Sequence, residues 1–498
     1  MMRTLCLHPP SYEGFDGGAG SRYQAKREIR SFWYPTWLAQ VAAIVPGSKL
    51  IDAPAAGLGL DDVRPLAGQY DLAVLHTSSP SFAGDVQVAE ALKQENPDLT
   101  VGFVGAKVAV EPEASLLASP AIGFVAREEF DFTIAEIAEG RPLAEVDGVT
   151  FRDAAGAAVA TPDRAILEDM DRLPYVTDVY KRDLNINDYF IGYLKHPYLS
   201  LYTGRGCRSR CTFCLWPQTV GGHRYRTRSV EHVLGEMARI RELFPAVKEV
   251  FFDDDTFTDD RRRAEEIARG MGKLGLTWSC NAKAQVPYET LKIMRENGLR
   301  LLLVGYESGN QQILINIKKG VRVERARQFT KDCRDLGITI HGTFIVGLPG
   351  ETTETIQETI RFAKEINPHS LQVSIAAPYP GTALYRQAKE NGWLPEDDAT
   401  LIDEHGVQTA TLSYPNLNRT EIYNSVDTFY RQFYFRAGKI AEMSAEMLRS
   451  PQMMKRRLRE GVEFVSFLRN RATSPGLSVN ALVAGRDAGY CGGRPAGR

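Results

Sequence analysis

The sequence has no run approaching the eighteen or so apolar residues that span a bilayer, and its beginning shows no basic stretch leading into an apolar run and cleavage site. Those absences predict a cytoplasmic protein. It also lacks an excess of charge of either sign. Sixty basic residues face 62 acidic ones, a formal net charge of -2, so no global field draws it to nucleic acid. Cysteine is scarce: of seven, Cys6, Cys280, Cys333 and Cys491 are scattered, while three lie within eight residues. That distribution speaks for a metal rather than for disulfides. Hydrophobic content of 43% and charged content of 24% exclude a disordered or fibrous chain. A length of 498 residues exceeds one ordinary core, so two or three domains are expected.

What is present is a β/α rhythm. TLCLH, KLIDA, DLAVLHTS, TVGFVGA and IGFVA are short apolar runs separated by helical stretches, which predicts a doubly wound, mostly parallel sheet over residues 1–142. Between the third and fourth runs, FAGDVQVAEALKQE has helical spacing and stops at Asn96 and Pro97. A sheet of this kind binds ligands at the carboxyl ends of its strands, where HTSSPSFAGD falls. VDGVTFRDAAGAAVATP then reads as a hairpin, followed by a polar, proline-containing linker, the two together covering 143–195. Over 196–396 six strand-helix units follow in succession, from LSLYTG to SLQVSIAAP, and predict a partial (β/α)6 barrel of the TIM type with its polar residues at the strands' carboxyl ends. The fold class is therefore α/β. Residues 397–473 read as a C-terminal helical cap, and 474–498, rich in glycine and small residues, as a disordered tail.

In GRGCRSRCTFCLW, directly after a strand, Cys207, Cys211 and Cys214 stand at C-x3-C-x2-C spacing. Three thiolates so close can ligate three irons of a cubane and leave the fourth iron open. Gly204 and Gly206 let the backbone bend around such a cluster, and Arg205, Arg208 and Arg210 offset its negative charge. The rival is a structural zinc site with His223 as fourth ligand, although the Cys214 to His223 spacing fits no common finger. The remaining reading, cysteines that merely fill a core, sits badly with three of them among arginines.

CRSRCTFC resembles the CxxxCxxC signature of the radical S-adenosylmethionine (SAM) superfamily, including the aromatic Phe213 before the third cysteine. The resemblance implies a 4Fe-4S cluster whose open iron is chelated by SAM, and reductive cleavage of SAM to a 5′-deoxyadenosyl radical that abstracts hydrogen from substrate. It implies further SAM contacts along the barrel. Asp253 and Asp255 in FFDDDTF resemble the family's position for the methionyl ammonium, Glu307 and Ser308 its ribose position, and Gly347 and Pro349 its adenine-contacting turn. An electron donor such as flavodoxin or ferredoxin is implied as partner.

A doubly wound domain followed by this barrel resembles the cobalamin-binding class of the superfamily. The class's D-x-H-x-x-G motif is absent, since His8 lacks both the Asp and the Gly; Ala106, Lys107, Arg127 and Glu128 also depart from its loops. Cobalamin, if bound, is bound without that histidine. The beginning MRTLCLHPPSYEGFDGG resembles the hopanoid-biosynthesis-associated branch, which implies lipid metabolism: ring contraction of bacteriohopanetetrol glucosamine to the cyclitol ether. A cobalamin-dependent radical SAM methyltransferase is the alternative, and a zinc-stabilised, non-enzymatic binding protein the second. A hopanoid substrate predicts peripheral contact with the inner membrane, for which Trp33, Trp37, Phe433, Phe435, Arg456, Arg457 and Arg459 are candidates, although such residues also make interdomain core.

Overall fold

A computed structural model describes residues 1–10, 25–395, 400–448 and 451–473. The tail expected over 474–498 and the passage from barrel to cap expected at 396 and 397 lie outside the described residues. Strands β1 (Thr4–His8), β2 (Lys49–Asp52), β3 (Leu72–His76), β4 (Thr100–Val104) and β5 (Phe124–Ala126) pair in parallel in the order β2-β1-β3-β4-β5. Every residue of β1, β3 and β5 is buried, because helices cover both faces of the sheet and leave no solvent side for polar residues to alternate into. The expected hairpin forms as β6 (Val149–Arg152) and β7 (Ala158–Ala160), and it has a structural task. Strand β6 adds antiparallel to β5, so the hairpin extends the sheet to seven strands and covers an edge that would otherwise be open.

The second sheet begins with β8 (Tyr198–Leu201). A short antiparallel ribbon, β9 (Gly204–Arg205) with β10 (Arg226–Thr227), flanks the cysteine loop. Then β11 (Glu249–Phe252), β12 (Trp278–Ala282), β13 (Leu299–Glu307), β14 (Thr339–Val346) and β15 (Ser370–Ile375) follow, all parallel and in chain order from β8 to β15. Amphipathic helices such as Arg261–Leu274, capped by Asp260 and stopped by Gly275 in the left-handed region, connect them.

Strands β8 and β15 do not pair with one another, so the barrel is open and two strand edges need hydrogen-bond partners. Tyrosines and a glutamine supply them. At β8 the carbonyls of Tyr198 and Ser200 accept from the hydroxyls of Tyr34 and Tyr180, at 2.8 and 3.0 Å. At β15 the amides of Leu371 and Val373 donate to Tyr434 and Tyr430 of helix Arg419–Tyr434, both at 2.9 Å, and Gln408 pairs with both main-chain groups of Ile375. The C-terminal helices thus close the barrel's side, and most of the candidate membrane residues are taken up there or in the core. Trp33, Trp37 and Phe433 are buried, and Arg456 and Arg457 pair with Glu460 and Glu446. Phe435 and Arg459 stay exposed. Among the described residues no helix is long and apolar enough to cross a membrane.

Candidate active site

A cavity of about 290 Å³ lies at the carboxyl side of the barrel strands, with the cysteine loop in its wall. It gathers Cys207, Cys211, Cys214, Phe213, Asp253, Asp255 and Glu307 into one lining, although they come from a loop and two strand ends far apart in sequence. Ser308, Gly347 and Pro349 are not in that lining. The Ser308 hydroxyl is paired with Thr359 at 3.0 Å, the Gly347 amide donates to Glu351 at 2.7 Å, and the Pro349 carbonyl accepts from Asn316 at 3.0 Å. Their polar groups are spent on docking the turns onto helices.

The loop's shape comes from its backbone. Gly206 has φ +86°, and a Cβ there would stand 2.3 Å from the Arg224 carbonyl oxygen, so only glycine lets the strand bend into the loop. The side-chain amide of Gln218 donates to the carbonyls of Cys211, Thr212 and Cys214 at 3.2, 3.2 and 2.7 Å, and its oxygen accepts from the Ala383 amide at 2.8 Å. His223 donates from Nδ1 to the carbonyls of Cys207 and Ser209, at 3.3 and 2.9 Å, and does not line the cavity. Its place is that of a loop fastener, not a fourth ligand. Among the described residues no three His, Cys, Asp or Glu side chains converge on a single metal ion, as tetrahedral zinc requires. Replacing Gly206 with alanine is expected to lower iron bound after anaerobic reconstitution by about half or more, from the strain of placing a side chain at this backbone angle. Iron equal to the parent's would contradict that account of the loop.

The carboxylates differ in whether they are turned away from the cavity or line it. Asp254 is fully buried and accepts from the Thr203 hydroxyl and the Tyr225 hydroxyl, at 2.6 and 2.7 Å; burial pushes its pKa up despite Arg263 and these donors. Asp253 takes the side-chain amide of Asn281 at 2.9 Å and remains in the cavity wall with Asp255. Glu307 meets Lys319 at 2.6 Å. Burial opposes the Lys319 charge, but Glu307 and then Cys211 more than offset it and push the ammonium's pKa up. Lys319 and Gln218 carry no sequence signal, because their places depend on folding that brings the 311–320 turn and the 383 amide to the cysteine loop. Of the three loop arginines, Arg205 turns away to Asp131 at the start of helix Asp131–Ala138, at 2.6 and 3.0 Å, while Arg208 and Arg210 are exposed.

Glu351 fixes the turn after β14. One carboxylate oxygen accepts from the amides of Gly347 and Leu348 at 2.7 and 3.0 Å, yet burial dominates and pushes its pKa up to about 8. The folded state therefore holds this proton more tightly than the unfolded chain, so the stability it contributes is present at low pH and is lost as pH rises from its ordinary value through about 8. Denaturation curves across that interval are expected to show a downward slope that Glu351→Gln removes; an identical slope in the variant would contradict the assignment.

On the first sheet, the carboxyl ends of β3 and β4 face the barrel beside the cysteine loop. His76 stands 6.5 Å from Trp216 between ring centroids, and burial, followed by His8, pushes its pKa down to about 3. Both of its ring nitrogens are buried without a hydrogen-bond partner. At Gly105, φ +119°, a Cβ would stand 2.3 Å from the Thr77 carbonyl oxygen. Among the described residues, none of the seven-stranded sheet lines the cysteine cavity.

The family model of the radical SAM superfamily matches residues 201–363. An uncharacterized methyltransferase of Pyrococcus horikoshii is 30% identical over 412 residues, which span 79% of this chain and 84% of that protein. An anaerobic magnesium-protoporphyrin IX monomethyl ester cyclase of Rubrivivax gelatinosus is 24% identical over 87% of this chain and 77% of its own length. Among solved structures, the radical SAM methyltransferase TsrM of Kitasatospora setae, with cobalamin and a 4Fe-4S cluster bound, superposes with TM-score 0.65 at 15% identity, covering 94% of this chain and all of that one. That likeness confirms the α/β architecture of doubly wound sheet and partial barrel.

Proposed function

Because the chain belongs to the radical SAM superfamily, we propose that Cys207, Cys211 and Cys214 hold a 4Fe-4S cluster, that SAM occupies the adjoining cavity, and that the enzyme methylates an unactivated carbon of its substrate. The observation that carries this is the gathering of three thiols, Asp253, Asp255 and Glu307 around one cavity, with no mononuclear metal site among the described residues. The bound cluster and SAM supply the means of removing a hydrogen atom from carbon. The chain's own groups do the rest. Asp255 and the Asn281-held Asp253 offer acceptors to an ammonium group. Lys319 holds the Glu307 carboxylate in place through their ion pair, where it can accept hydroxyl donors, and places a positive charge beside Cys211. Phe213, Leu215 and Ile345 line the same space and exclude water from it.

Methyl transfer is supported by the names of the relatives, and the residues of the first sheet fit a corrinoid at its carboxyl edge. His76, with two unpartnered buried nitrogens, and Gly105, which lets two loops approach, are the residues that would meet it. An external one-electron donor of the flavodoxin or ferredoxin kind would supply the reducing equivalent. A second reading, ring contraction of a hopanoid glycoside without a corrinoid, is favoured by the absence of the first sheet from the cavity lining and by the resemblance of the N-terminal segment. Anaerobic reaction of the reconstituted protein with SAM, reductant, cobalamin and bacteriohopanetetrol glucosamine separates the two. S-adenosylhomocysteine with a methylated product supports the first reading. A product with no added methyl and no S-adenosylhomocysteine supports the second, and a fully loaded cluster that yields neither product, and neither 5′-deoxyadenosine nor S-adenosylhomocysteine, would overturn both.

A further inference from the structure

The cysteine loop is a wall one residue thick. Cys207, Ser209 and Cys211 line the cavity, while the residues between them, Arg208 and Arg210, do not line it and are exposed. His223 fixes that alternation by donating to the carbonyls of Cys207 and Ser209, at 3.3 and 2.9 Å. The sulfurs therefore face the cavity and the two guanidinium groups face solvent.

A second segment docks against this loop and adds to its outer face. The Thr212 amide donates to the Ile317 carbonyl at 3.0 Å, and the Lys318 carbonyl oxygen lies 3.9 Å from Cys211 Sγ. Lys318 has φ +55°, and there two consecutive lysines part: Lys319 turns inward onto Glu307, while Lys318 is exposed. Ile315, whose carbonyl accepts from the Lys318 amide at 2.9 Å, is 57% exposed and adds an apolar spot beside it. Arg224, whose carbonyl lies against Gly206, is spent on Glu168. Among the described residues, Arg208, Arg210 and Lys318 make no ion pair. With a net charge of -2 on the whole chain, three unpaired cations over one loop are a local feature and not part of a global field.

We propose that Arg208, Arg210 and Lys318, with Ile315 beside Lys318, form the docking surface for an acidic protein that carries a one-electron centre, and that the electron enters next to Cys211. This rests on the radical SAM reading for the electron's destination alone. Cys207 and Cys211 are buried, so a protein cannot touch what they hold, but on this face it comes within one residue of both. The carrier loses one electron and the cluster gains it, with no bond made or broken between the two proteins. Encounters of this kind use small interfaces, under about 1,200 Å², and draw their rate from complementary charge more than from area. Three cations with one exposed isoleucine suit such a brief contact.

The probe is flavodoxin, an acidic flavoprotein. Its oxidised form is titrated calorimetrically into anaerobically reconstituted full-length protein, and its hydroquinone is mixed with the same protein by stopped flow while the semiquinone appears. Affinity and rate are both expected to fall at least about tenfold from about 0.1 M to about 1 M salt, as the Debye length shrinks from about 10 to about 3 Å. In the triple variant Arg208→Gln, Arg210→Gln, Lys318→Gln both are expected to lie at least about tenfold below the parent at low salt and to lose most of their salt dependence. The variant Arg208→Lys, Arg210→Lys keeps the charge and is expected to stay within about twofold of the parent. Reduced methyl viologen, a small cation that needs no docking, is expected to drive SAM cleavage equally in all three proteins. Flavodoxin affinity and rate unchanged in the glutamine variant, or a loss that methyl viologen shares, would overturn the proposal. A parent that binds flavodoxin with this salt dependence yet cleaves no SAM with methyl viologen would instead count against the radical SAM reading and leave the docking surface standing.

Discussion

Replacing Cys211 with alanine is expected to reduce SAM cleavage to background and to strip the reconstituted protein of most of its iron and sulfide. Two thiolates cannot hold a cubane that needs three protein ligands and one open iron. The loop itself should survive, because its shape rests on Gly206, on the three carbonyls bound by Gln218 and on Thr212, whose amide donates to the Ile317 carbonyl at 3.0 Å, and not on the thiols. Cys333→Ala is the control: that thiol is buried in helix Val323–Asp335, away from the cavity, and its loss should leave cluster and cleavage intact. Anaerobic iron and sulfide analysis with chromatography of 5′-deoxyadenosine reads both. Cleavage retained in the Cys211 variant would contradict the ligand assignment.

The largest effect on stability is expected from Arg205→Ala. Arg205 is 4% exposed, binds both oxygens of Asp131, lies 3.7 Å from Glu129 and stacks over the Trp37 ring at 4.2 Å, so it joins the barrel's ribbon to helices Thr36–Ile44 and Asp131–Ala138 that pack on the first sheet. Its removal leaves Asp131 buried without its cation. Breaking a buried pair from one side costs about 3–5 kcal/mol, most of it the desolvated charge left behind. Chemical denaturation should show that loss, and the double variant Arg205→Met, Asp131→Leu should recover most of it, since neither residue then carries charge. A single variant as stable as the parent would show that the pair contributes nothing to holding the two sheets together.

Much of the fold was legible because strands such as β1 and β3 are buried throughout and read as short, mostly apolar runs between helical stretches. The cysteine triplet was legible because its spacing is local. What the sequence hid depends on distant partners. The hairpin at 149–160 was legible, but its attachment to the first sheet was not, because nothing local says that β6 pairs with β5. Arg205 looked like a counter-charge for the cluster, but Asp131, 74 positions away, takes it. Trp33 and Trp37 were candidates for a membrane surface and are instead buried, Trp37 stacked on Trp216 at 5.7 Å. Ser308, Gly347 and Pro349 stand at the strand ends where motif spacing placed them, but their polar groups face helices and other turns, a direction that spacing alone does not fix. Lys319 and Gln218, which hold Glu307 and the cysteine loop, belong to no local pattern at all.

The most direct test is to measure iron, acid-labile sulfide and zinc per chain after anaerobic reconstitution, and then SAM cleavage by the same sample under reductant. About four irons and about four sulfides per chain, with 5′-deoxyadenosine or S-adenosylhomocysteine formed, is the predicted result. Zinc without sulfide, or a full cluster that leaves SAM intact, would contradict it.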